Sequence, residues 1–279
     1  MGRLSDIIST SSTNTHNNGN GHHQPPPNYQ DHSKTDQYPH STSQGPAGPP
    51  PPFPRYFACL HLGRTDRIRL IGLPQDCIPA VDEAIKRVWY PGVQTQGPYI
   101  SGWEWKVSGN PWRGQGIEAI AARRLLSHIL HALSAIGWDL HMSCDLSKKE
   151  WDKDTLFLHS VPPRQRYYFS ISFNESDKVR IIDPPDMIVQ DAFVRAVQTW
   201  PAGIQKQGEK ESGCYQLKLR GTPWWTSDGA EVVHSRLLGC TILSAMESVG
   251  FELVSSVDMS MGNGDRQMDL DTWFFASKV

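Results

Sequence analysis

The ten residues Trp103-Glu104-Trp105-Lys106-Val107-Ser108-Gly109-Asn110-Pro111-Trp112 return 112 positions later as Tyr215-Gln216-Leu217-Lys218-Leu219-Arg220-Gly221-Thr222-Pro223-Trp224. Each copy reads as an alternating strand, then Lys-x-x-Gly-x-Pro-Trp, then a long helical pattern. The alternation puts Trp103, Trp105 and Val107 on one face of a strand and Glu104 and Lys106 on the other. The Gly-x-Pro step stops the strand, because proline cannot donate to a ladder. Such a sequence folds as one unit written twice.

The flanks carry the same correspondence. Asp66-x-x-Arg69 is echoed by Asp177-x-x-Arg180, and Trp89, Gly92 and Gln94 by Trp200, Gly203 and Gln205. Arg124-Leu125-Leu126 recurs as Arg236-Leu237-Leu238, Asp145 as Asp258, and Asp154-Thr155 as Asp271-Thr272. The offset grows only where loops are expected, which is how small insertions in a duplicated fold behave. Hairpins are expected at 56–73 and 167–182, each with a polar turn. A helix follows Pro74 and Asp76, ended by Pro91-Gly92. The expected fold is α+β: two tandem ββαβαββ units with antiparallel sheets, related by a rough two-fold. Long helices over 117–136 and 230–249 each cover one face. The units span 55–161 and 166–279, and the linker Pro162-Pro163-Arg164-Gln165 is short enough to make them pack together.

Residues 1–54 differ in kind. All ten tryptophans lie after them, and ten of the 21 prolines lie within them. A stretch so poor in apolar side chains cannot offset the entropy of ordering, so it reads as a disordered arm. Its end, residues 45–54, favours polyproline II and reads as a stiff spacer or as a ligand for a proline-reading domain.

A net charge of −2 without a basic stripe argues against a nucleic-acid partner. No apolar run approaches the ~20 residues that span a bilayer. The first residues lack the apolar core of a secretory signal, and Asp6 stands where a myristoylation pattern wants Ser or Thr. Cys59, Cys77, Cys144, Cys214 and Cys240 are odd in number and widely spaced, which fits reduced thiols in a cytoplasmic or nuclear protein.

Candidate binding residues are the polar and aromatic positions held in both copies. Trp112 and Trp224 read as core plugs with the indole N–H on a backbone carbonyl, or else as stacking platforms for a ligand. Asp66/Arg69 and Asp177/Arg180 read as pairs pinning a hairpin. Lys106 and Lys218 lie on the face opposite the aromatic one. Arg124 and Arg236 read as partners of an acid such as Asp145 or Asp258. Were Lys106, Arg69 and Arg124 to converge, each copy would hold a cationic pocket for phosphate or carboxylate. His128 and His131 share a helix face with Arg124, a stripe that reads as solvated. His141 and Cys144 point to opposite faces of a strand, so no metal and no cofactor is expected. No nucleophile elbow, phosphate-cradling loop or His-Glu-x-x-His run is present.

Residues 55–279 resemble a mainly fungal family with a tandem Lys-Leu-x-Gly-x-Pro-Trp domain. That resemblance implies the duplicated fold and brings no established activity with it. About 35 residues of each copy also resemble the kinase-associated lipid-binding domain, which runs strand, turn, helix. The proline before Trp112 and Trp224 and the strand pair after the helix depart from it. Three readings follow: a non-catalytic binding or scaffold module, a binder of an anionic small ligand or lipid headgroup, which would allow peripheral contact with an anionic membrane, and an enzyme with a site between the copies.

Overall fold

The computed structural model describes residues 55–113, 116–147, 153–227, 229–259 and 270–278. The arm over 1–54, with its proline-rich end, lies outside the described residues.

The first repeat runs β1 (Phe57–Gly63), β2 (Arg67–Ile71), α1 (Cys77–Val88), β3 (Val93–Tyr99), β4 (Gly102–Val107), α2 (Ile117–Ala135), β5 (Trp138–Cys144) and β6 (Thr155–Ser160). The second runs β7 (Tyr168–Asn174), β8 (Lys178–Ile182), α3 (Met187–Val197), β9 (Ile204–Glu211), β10 (Cys214–Leu219), α4 (Gly229–Ser248), β11 (Phe251–Val257) and β12 (Thr272–Ser277). The two six-stranded sheets have orders β3-β4-β2-β1-β6-β5 and β9-β10-β8-β7-β12-β11. They match position for position, and all pairings are antiparallel. The duplication extends to an irregularity: β5 shifts register between Leu140 and Met142, and β11 between Leu253 and Ser255.

Each unit is therefore ββαββαββ, one strand richer than its sequence pattern suggests. The extra strands, β3 and β9, are sheet edges and are exposed along most of their length. An edge strand that buries neither face needs no hydrophobic alternation, and it tolerates Pro98.

The repeats pack through a shared layer, the second sheet contributing side chains to both cores. All seven residues of β7 are buried. Phe169, Ile171 and Phe173 join the second repeat's own core with residues of α3 and α4. Tyr168, on the opposite face, joins the first repeat's core, as do Val257, Met259, Phe274 and Ala276. The layers run sheet, helices, sheet, helices, with α2 between the two sheets. Its buried residues include Ile120, Leu125, Leu126, Ile129 and Leu133, whereas α4 buries Ser235, Leu238, Ile242 and Met246. Helices of matching position thus meet different surroundings.

The linker is pinned. The Arg164 N–H donates to Ser134 O and the Ser134 hydroxyl donates to Arg164 O, both at 3.1 Å. Arg166 Nε donates to Ser277 O at 2.9 Å, and Asp139 pairs with Arg164 and, at 3.2 Å, with Arg166.

Candidate functional site

The repeated turn does the same structural task in both copies. Gly109 and Gly221 have φ of 78° and 83°, a region that favours glycine. A Cβ on either would lie 2.9 or 2.6 Å from a carboxylate oxygen, of Glu118 or of Glu231. Those carboxylates accept the N–H of the next residue, Asn110 at 2.9 Å and Thr222 at 3.1 Å. Each helix's first turn thereby holds the loop that precedes it. Trp112 Nε1 donates to Arg67 O at 2.8 Å and Trp224 Nε1 to Lys178 O at 2.9 Å. Trp112 is fully buried and acts as a plug, while Trp224 keeps part of its surface open.

The cationic residues do not converge. Arg69 and Lys106 lie on the outer face of the first sheet, while Leu70 and Trp105 beside them face the core. Arg124 lies on α2, beyond that core, against the second repeat. Arg69 Nε donates to Glu104 at 2.6 Å and its guanidinium lies over the Tyr99 ring at 4.4 Å. Its partner is thus a residue of the neighbouring strand, in place of the hairpin acid Asp66. Arg180 is buried and donates to Gln216 at 2.8 Å, and Asp177 pairs with Lys218 at 3.6 Å.

The stripe of Arg124, His128 and His131 is a docking face, not the solvated one its polarity suggests. Arg124 makes a two-point pair with Asp183 at 2.7 and 2.9 Å and reaches Glu211 at 3.0 Å and Ser212 O at 2.8 Å. Neither Asp145 nor Asp258 is its partner. His131 Nδ1 lies 2.6 Å from Arg166 O, and burial pushes the His128 imidazole below its ordinary value. Below this stripe Ile120 packs with Ile182 and Cys214. Side chains of both repeats fill this part of the joint. Among the described residues no cluster of His, Cys, Asp or Glu has the arrangement of a metal site.

A cavity of about 780 Å³ lies on the second repeat. Phe173, Trp224, Leu243 and Trp273 form its apolar wall, and Arg236, Ser256, Asp258 and Asp271 its polar side. Phe173 meets both Trp224 and Trp273 edge-on, with ring centroids 4.9 Å apart. Gly239 lets the Trp273 indole lie against α4, since a Cβ there would be 3.3 Å from it. Arg236 Nη1 donates to Ser235 Oγ at 2.7 Å, and Ser256 Oγ to Asp271 Oδ2 at 2.9 Å.

The same place in the first repeat is filled, and the second repeat fills it. Leu62, Trp112 and Leu156, the counterparts of Phe173, Trp224 and Trp273, share a core with Val257 and Met259. Asp154, the counterpart of Asp271, pairs both backbone groups of Asp258. Its N–H donates to Asp258 O at 3.0 Å, and its carboxylate accepts the Asp258 N–H at 2.9 Å. Ser143, the counterpart of Ser256, donates to Ser256 O and lies 2.8 Å from Ser255 Oγ. Arg123, whose counterpart is Ser235, is buried and donates to Thr272 Oγ1 at 2.9 Å.

Of the sequence candidates, Arg236 and Trp224 therefore line the cavity, and the other six do not. What sets the cavity apart from its filled counterpart is residues the copies do not share: Ser235 for Arg123, Gly239 for Ser127, Leu243 for His131 and Trp273 for Leu156.

A single domain family matches the chain twice, over residues 56–159 and 167–276. The chain belongs to that family, as a tandem of two copies. No curated protein matches it. Among solved structures, a conserved kinetoplastid-specific protein from Trypanosoma cruzi is similar at 17% identity and a TM-score of 0.30, over 40% of this chain and 95% of its own. Among the described residues no helix is long and apolar enough to cross a membrane.

Proposed function

We propose that the chain is a non-catalytic docking module whose second-repeat cavity receives an apolar group from a binding partner. The observation that carries this reading is the contrast between the repeats: one fold holds the same recess twice, plugged in the first copy and, among the described residues, open in the second. Aromatic and aliphatic walls with a few polar groups at one side suit an apolar anchor held in a fixed orientation. Residues 45–54 would add a separate handle for a proline-reading domain.

An anilinonaphthalene dye tests the cavity directly. The dye is expected to bind the full chain with energy transfer from Trp224 and Trp273. Leu243→Arg, which puts a charge on the apolar wall, is expected to weaken that binding at least about tenfold with the melting temperature held. The factor corresponds to ~1.4 kcal/mol, within what one apolar anchor supplies. Equal binding by both proteins would remove the reading, and turnover of a small molecule at this site would remove its non-catalytic part.

A second reading, an anionic ligand, is favoured by a groove of about 310 Å³ lined by Lys178, Lys206, Lys210 and Lys218 with Glu209. Lys218 was a shared candidate, but the groove's character belongs to the second copy. The first has Thr95 and Tyr99 where Lys206 and Lys210 stand. Near an anionic surface each lysine is worth about 1 kcal/mol. Lys206→Ala with Lys218→Ala is therefore expected to weaken sedimentation with phosphatidylserine vesicles about 20-fold or more, and Lys106→Ala to leave it unchanged. Equal sedimentation of all three proteins would end this reading.

A further inference from the structure

Resting on the docking reading, we propose that the cavity's partner is an extended protein segment. Its main chain pairs with Asp271, and a large apolar side chain enters between Trp224 and Trp273. The protein contains its own precedent. In the first repeat, the stretch Ser255-Ser256-Val257-Asp258-Met259 lies across the matching recess. Asp154 holds the Asp258 N–H and C=O, and the flanking Val257 and Met259 are 0% and 2% exposed. That contact takes main chain at the middle position and apolar side chains on either side of it. This is the division of labour by which extended peptides are recognised: backbone bonds supply affinity and pockets supply selectivity.

The second repeat keeps the pairing apparatus. Ser256 and Asp271 repeat Ser143 and Asp154, and Ser256 Oγ already donates to the Asp271 carboxylate at 2.9 Å. Asp154 is 9% exposed beneath its partner strand, whereas Asp271 is exposed. The walls of the anchor site differ. Ser235 replaces the arginine that crosses to Thr272 in the first copy, Gly239 replaces Ser127, and Leu156 becomes Trp273. Loss of the long cation and the gain of aromatic walls suit the recess to a large aromatic anchor such as phenylalanine. The partner sequence is thus apolar-x-apolar, held through its main chain at x.

The probe is a fluorescein-labelled peptide of residues 253–259 with Met259→Phe, titrated by anisotropy against the full chain. Wild type is expected to bind it, and Asp271→Ala to weaken binding at least about tenfold. Methylating the peptide's Asp258 nitrogen, which deletes one main-chain donor and leaves the protein untouched, should cost a similar factor. Leu243→Arg should abolish binding. Suppose the dye binds and Leu243→Arg displaces it, while the peptide does not bind at 1 mM or ignores both Asp271→Ala and N-methylation. The extended segment is then wrong and the docking cavity survives. Failure of the dye itself removes the cavity reading first. The N-methyl arm decides the matter if Asp271→Ala folds poorly.

Discussion

Asp139→Ala is expected to destabilise the protein by about 3–5 kcal/mol at pH 7, as removal of one partner from a buried ion pair does. The Asp139 side chain is 1% exposed and Arg166 is 5% exposed. Without the carboxylate, Arg166 keeps Ser277 O and the half-exposed Glu252, and Arg164 loses its anchor on β5. These two arginines hold the linker, so the loss strikes the connection between repeats. For a domain of this size the shift in melting temperature is on the order of 10 °C. Burial pushes the Asp139 carboxyl up, but Ser134 and the guanidiniums of Arg164 and Arg166 outweigh it and hold it below the usual carboxylate range. A depressed folded pKa gives stability that is fully present above the unfolded value and lost as pH falls through the folded one. The gap between wild type and Asp139→Ala should therefore be widest at neutral pH and close in acid. A melting difference that stays constant down to pH 3, or none at pH 7, would show that the pair does not tie the repeats.

Much of this architecture was legible because duplication supplies a control that a single sequence lacks. Residues kept at matched positions, such as Gly109 with Gly221 and Trp112 with Trp224, could be assigned to one turn before any coordinates. What was illegible had physical reasons. Strands β3 and β9 are exposed edges, so no core imprints a period on them. Arg124, His128 and His131 look like a surface because they are polar. They are instead the face on which the second sheet sits, with Asp183 and Glu211 supplied from 59 and 87 residues away. Pairing at such separations leaves no local pattern. The choice of Glu104 over Asp66 as partner for Arg69 likewise depends on strand neighbours, not on spacing along the chain.

In a duplicated fold, identity between copies reports what the fold requires twice. A function carried by one copy is written in the differences. Ser235, Gly239, Leu243 and Trp273 are such differences, each visible once the copies are aligned.

The largest test of the stacking itself is Phe274→Ala. Phe274 belongs to the second repeat by sequence and to the first repeat's core by packing, at 0% exposure. Its neighbour Phe275 points the other way, stacked on Phe169 at 5.3 Å within the second core. Phe274→Ala and Phe275→Ala each remove a buried phenylalanine, at a cost of about 3–5 kcal/mol in either core. If the two cores unfold as one unit, as a shared layer of β7 and β12 side chains implies, both variants shift a single transition in urea by similar amounts with the slope unchanged. Near-ultraviolet circular dichroism, dominated by the tryptophans of both repeats, should then follow the same curve as the far-ultraviolet signal for wild type and both variants. Two resolved transitions, with Phe274→Ala moving only one of them, would mean that the repeats fold separately. The internal joint would then be too weak to serve as the template from which the partner of the open cavity was inferred.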